Sequence, residues 1–76
     1  NNEAYKKARE YYARALTLEP SDADAQNDLG LTYFLENPPQ YERAIVELQK
    51  AQRIKPDHEK SLENLVRVFL AHGKTK

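Results

Sequence analysis

The sequence predicts an all-α fold, a helical-repeat solenoid of four antiparallel helices. Three observations predict it. Residue types return 36 positions apart: Pro20 and Pro56, Tyr5 and Tyr41, Ala8 and Ala44, Ala15 and Ala51, Leu29 and Leu65. Softer echoes share that offset, with Tyr12 matching Leu48, Leu18 matching Ile54 and Tyr33 matching Phe69. A period between about 20 and 50 residues marks stacked units that cannot bury their apolar faces alone. Apolar residues also recur three or four apart in four stretches, the spacing of one helical face. Finally, prolines and short polar segments separate those stretches, and no strand-like alternation occurs.

The first helix is expected from about Glu3 to Leu18, with Tyr5, Ala8, Tyr12, Ala15 and Leu16 on one face. Pro20 stops it, because the residue before a proline is biased away from helical dihedrals. Ser21 or Asp22 caps a second helix over Ala23–Glu36, helped by Asp24 in its first turn. Its packing stripe reads Gln26, Leu29, Gly30 and Tyr33. Asn37-Pro38-Pro39-Gln40 is the one strong internal break, since two prolines cannot continue a helix. One of them can occupy a first turn, so the third helix starts near Pro39 or Gln40 and ends near Ile54. Tyr41, Ala44, Ile45, Leu48 and Ala51 form its stripe. Pro56 ends it, and Asp57 is the expected cap of a fourth helix reaching about His72, with Gly73 as its C-terminal cap. The fourth stripe reads Leu62, Leu65, Val66 and Phe69. Short connections make successive helices antiparallel neighbours.

Composition limits the function. Seventy-six residues hold one small domain with a thin core. Twelve basic and twelve acidic side chains cancel, so the chain lacks the field of a nucleic-acid binder. With no cysteine, it has neither a disulfide framework nor a thiolate metal site; that is compatible with cytosol without fixing the compartment. No apolar run reaches the length of a membrane span and no signal-peptide pattern opens the chain. An Asn start and the absence of methionine suggest a piece of a longer chain.

The run Gln26-x-x-Leu29-Gly30-x-x-Tyr33, followed by Ala44-x-x-x-Leu48, Ala51 and Pro56, resembles the tetratricopeptide repeat. That family's unit is about 34 residues, with W-x-x-L-G-x-x-Y on one helix, A-x-x-x-F on the next and a closing proline. The resemblance implies a half unit over 1–20, a complete unit over 21–56 and a second half unit over 57–76, stacked with a right-handed turn. In it, Gly30 and Ala44 allow close helix approach, and Ala51 leaves room for the next unit. The sequence departs from the pattern in three places. Gln26 replaces the usual aromatic, Val66 stands where a small residue is usual, and two extra residues fall in Asn37–Gln40, where they enlarge the turn without altering the stacking. The half units at each end should leave an apolar face bare.

In tetratricopeptide arrays the first helix of each unit lines a concave groove that binds an extended peptide or a partner helix. The resemblance therefore implies contacts from Asp24, Asn27, Asp28, Leu31, Phe34 and Leu35 on the second helix. On the fourth it implies Lys60, Glu63, Asn64, Arg67 and Leu70. No lysine or arginine lies between Ala15 and Glu42, while Asp24 and Asp28 stand one turn apart. They could attract a basic segment, or simply favour the positive end of a helix. Leu31, Phe34 and Leu35 are either apolar anchors for a ligand or packing residues against a neighbouring helix. Some family members clamp acidic C-terminal tails with lysine, asparagine and arginine. Lys60 and Asn64 lie on the corresponding helix, but Asp28 would oppose such a ligand by like-charge repulsion.

Other constellations are weak. His58 and His72 sit at opposite ends of one helix, too far apart to share a metal, and are expected at the surface. Ser21 and Ser61 have no histidine in a triad arrangement. Glu59 and Glu63 have no apolar pocket to raise a pKa. Four of the five tyrosines follow the core periodicity, leaving Tyr11 as a lone off-face ring. No glycine-rich phosphate loop exists. The sequence thus leads to a non-catalytic protein–protein module without cofactor or metal, whose partner is a protein or peptide and neither nucleic acid nor membrane. The alternative is self-association through the uncovered ends, with Tyr5, Ala8 and Tyr12 on one side and Leu65 and Phe69 on the other.

Overall fold

The computed structural model describes residues 1–74, and those residues form four helices and no strands. They are α1 (Asn2–Leu18), α2 (Ala23–Leu35), α3 (Tyr41–Ile54) and α4 (Glu59–Lys74). Residues 75 and 76 of the expected last half unit lie outside the described residues.

Local chemistry sets the boundaries. The Asn1 side chain accepts the Ala4 amide at 2.9 Å and opens α1. Asp22, rather than Ser21, opens α2 by accepting the Ala25 amide at 3.0 Å. Each bond satisfies a donor that has no partner within its helix. α3 has no side-chain cap; the Gln40 amide instead donates to the Tyr33 carbonyl at 2.9 Å, which folds the Pro38–Pro39 turn back onto the end of α2. The Asn37–Pro38 peptide in that turn is cis. α4 begins on His58 and not on Asp57: the Ser61 amide donates to His58 Nδ1 at 3.2 Å. Gly73 is no C-cap; it lies inside α4 without a positive φ.

The four helices make a slab of 37 × 30 × 14 Å between Cα atoms. A body only 14 Å thick leaves little interior. The deepest core is accordingly small: Ala44, Leu48, Leu65 and Val68, with Tyr33, Phe34, Tyr41 and Ile45 packed around them. α2 touches all three other helices. At Gly30, α2 and α3 approach closely. A Cβ there would stand 2.8 Å from Leu48 Cγ and 3.1 Å from the Leu48 backbone nitrogen. Small residues on both sides, with Ala44 and Ala51 wholly buried on α3, let these helices approach closely.

α4 packs on a different face from the expected one. Ser61, Asn64, Leu65 and Val68 are buried, whereas Leu62, Val66 and Phe69 are exposed. Only Leu65 of the expected stripe reaches the core. The reason is positional: among the described residues no helix covers the face equivalent to the α2 face that meets α3. Leu65 is therefore not part of a bare end, and the uncovered apolar surface is Leu62, Val66, Phe69 and Leu70.

At the other edge α1 has no fully buried residue. Polar contacts help to hold it. Asn2 grips the turn, its Nδ2 donating to the Asn37 carbonyl at 2.9 Å while its Oδ1 accepts the Asn37 amide at 3.0 Å. Arg9 Nη2 donates to Glu36 Oε1 at 2.6 Å, and Arg9 lies over the Tyr33 ring, 4.3 Å from its centre.

Candidate functional site

α2 and α4 are neighbours, and two polar contacts tie them. Asn64 Nδ2 donates to Asn27 Oδ1 at 3.0 Å, and both residues are buried. The expectation that these asparagines face a ligand does not hold. They satisfy each other between the helices, as buried amides must. The second tie joins His58 Nε2 to Asp24 Oδ1 at 2.7 Å.

His58, expected at the surface, is buried. Its Nδ1 accepts the Ser61 amide, so its Nε2 carries the proton given to Asp24. The Ser61 hydroxyl lies 3.0 Å from both His58 Nδ1 and the His58 carbonyl oxygen. Serine, histidine and aspartate are thus linked in a row, contrary to the expectation for Ser61. The row has the wiring of a cap: the carboxylate sits on Nε2 and the serine on Nδ1, the reverse of a hydrolytic triad. Ser61 also has no accessible surface. The His58 hydrogen bond, more than the charges of Lys60 and Lys55, holds the Asp24 carboxyl below its usual range.

The remaining α2 and α4 candidates are distributed unevenly. Asp24 and Leu35 are exposed, Asp28 and Leu31 are half-buried, and Phe34 packs against the core beside Tyr41. Lys60, Glu63, Arg67 and Leu70 on α4 are all exposed. Phe34 is a packing residue, and Leu31 and Leu35 are not buried.

Leu31 and Leu35 line a cleft of about 190 Å³ with Tyr5, Ala8 and Tyr12 of α1, and Asp28 and Thr32 of α2 complete its wall. The three α1 residues expected to mediate self-association are half-buried here, facing α2. Sequence reasoning misses this cleft. Its signal is the shared spacing of Tyr5, Ala8 and Tyr12 with Leu31 and Leu35, each set repeating every three or four residues. Asp28 supplies the charge of the cleft wall, and its carboxylate accepts the Asn27 amide at 3.3 Å.

Among the described residues no group of three or more potential ligands is placed to hold a metal ion, and no helix is long and apolar enough to cross a membrane. No family model, curated protein or solved structure matches the chain.

Proposed function

We propose that the chain is a tetratricopeptide-like segment that recognises a protein or peptide without catalysis, on the surface formed by α2 with its neighbours α1 and α4. One observation carries this reading. α2 and α4 are bound side by side through Asn27–Asn64 and Asp24–His58, so their outward residues belong to one continuous surface. The solenoid arrangement, half unit, unit and half unit, is supported by the 36-residue offset and by Gly30 seated under Leu48.

Within that surface the Tyr5–Leu31–Leu35 cleft suits an apolar side chain, and Asp28 on its wall suits a basic neighbour. Arrayed short peptides carrying a leucine or phenylalanine next to lysine or arginine test the reading. Binding should be retained by the parent chain and lost in Leu31→Ala and Asp28→Lys. Binding left unchanged by both substitutions rejects this surface.

A further inference from the structure

We infer that the exposed face of α4 docks on α1 of a second copy, joining two half units into a whole one in a head-to-tail assembly. The inference comes from carrying the chain's internal α2–α3 interface forward by its own repeat. α4 is the repeat of α2, and α1 is the repeat of α3.

Four α2–α3 contacts define the internal interface. Gln26 Nε2 donates to Glu47 Oε1 at 2.9 Å; Gly30 lies under Leu48; Arg43 stacks on Tyr33 with 4.9 Å to the ring centre; Phe34 meets Tyr41 at 6.2 Å between rings. Moving the α2 member forward 36 positions and the α3 member back 36 gives the corresponding α4–α1 pairs. Gln26 with Glu47 becomes Leu62 with Tyr11. Tyr33 with Arg43 becomes Phe69 with Lys7, and Phe34 with Tyr41 becomes Leu70 with Tyr5. Gly30 with Leu48 becomes Val66 with Tyr12.

Each pair remains compatible, and several change together. The buried polar pair turns apolar on both sides at once. A cation facing an aromatic ring stays a cation facing an aromatic ring, with about the same attraction. The antiparallel register that sets Gln26 against Glu47 also sets Glu59 against Arg14, opposite charges at the rim. Tyr11, Leu62, Val66, Phe69 and Leu70 are 70%, 41%, 57%, 52% and 62% exposed, so most of the large exposed apolar side chains among the described residues fall within these pairs. Scattered exposed leucines need no explanation, but a set that matches pair by pair does.

Val66 sets the geometry. A Cβ at Gly30 would already touch Leu48, so Val66 keeps α4 and the second copy's α1 further apart than α2 and α3. The rings of Tyr11 and Tyr12, which replace Glu47 and Leu48, span the wider gap. The contact uses different surfaces on the two copies, so it is heterologous and extends to further copies unless it closes into a ring.

Sedimentation velocity over a concentration series of the whole chain, with Tyr11→Lys and Val66→Glu, tests the assembly. Both positions are exposed, and circular dichroism checks that each variant stays helical. The parent chain should shift to species beyond the dimer as concentration rises, and each variant alone should remain monomeric. An equimolar mixture of the two variants should form a one-to-one dimer and nothing larger, because one intact α4 face and one intact α1 face survive. A parent chain monomeric at millimolar concentration overturns the inference. So does a variant that still dimerises alone, which would mean a symmetric contact. The assembly is read by mass and the peptide site by binding, so the two proposals fail separately.

Discussion

Leu48 rests on Gly30 so closely that a single added methyl would stand 2.8 Å from its Cγ. The crowding includes the Leu48 backbone nitrogen at 3.1 Å, which a rotamer change cannot relieve. Gly30→Ala should therefore push α2 and α3 apart. Overpacking costs about 1–3 kcal/mol and outweighs the gain of about 1 kcal/mol from replacing a helical glycine. Gly73 meets nothing within 4 Å, so Gly73→Ala supplies the opposite case. Urea unfolding should show Gly30→Ala destabilised and Gly73→Ala unchanged or more stable.

Two valines on α4 report which of its faces is packed. Val68 is wholly buried in the core and Val66 is 57% exposed. Val68→Ala should cost roughly 2–3 kcal/mol, since a buried methyl pair is lost and a cavity is left. Val66→Ala should stay within about 0.5 kcal/mol. Thermal unfolding of dilute monomer measures both, and equal losses would mean that α4 is rotated differently.

The rotation of α4 also shows where sequence reasoning stops. Apolar spacing marks Leu62, Leu65, Val66 and Phe69 as one stripe, but only Leu65 packs, because spacing cannot tell which part of a stripe a partner helix covers. Val68 lies off that face and joins the core because the other side of α4 meets α2 and α3. The four helices, by contrast, are legible to within a residue or two, since prolines and caps act locally. The burial of His58 is harder to read, because a histidine at a helix start looks like a surface residue. The repeat contains the missing clue: His58 lies 36 positions after the cap Asp22, and Ser61 lies 36 after Ala25, whose amide Asp22 accepts. The Asn27–Asn64 pair leaves no such local mark, because its two members become neighbours only when units stack.

His58 does two jobs, and substitutions can separate them. His58→Asn keeps an acceptor for the Ser61 amide and shortens the reach to Asp24. His58→Ala removes both contacts and exposes the cap loss, worth about 1 kcal/mol. Chemical denaturation should find the alanine variant the less stable of the two. Asp24→Asn in the His58→Ala background should add little further loss, because the contact between them is already gone. A full additional loss on the second substitution would show that Asp24 and His58 act independently.

Acid should loosen α1 before the rest of the slab. Glu36 is buried, and the Arg9 hydrogen bond, followed by that from Gln40, holds its carboxyl below the usual glutamate range. A carboxyl lowered in the folded state stabilises the fold once pH exceeds its unfolded value, about 4.3. That contribution disappears as pH falls from there through the folded value. α1 carries no fully buried residue, and the Arg9–Glu36 pair is one of the contacts that fix it, beside the Asn2–Asn37 hydrogen bonds. Measured against the intrinsic exchange rate at each pH, protection of the α1 amides should fall below about pH 4 while α3 amides stay protected. In Glu36→Gln the acid-dependent step should vanish and α1 should exchange faster at neutral pH, where Arg9 has lost its charged partner. If α1 of the Glu36→Gln variant still loosened in acid as much as the parent chain does, the effect would belong to another carboxylate.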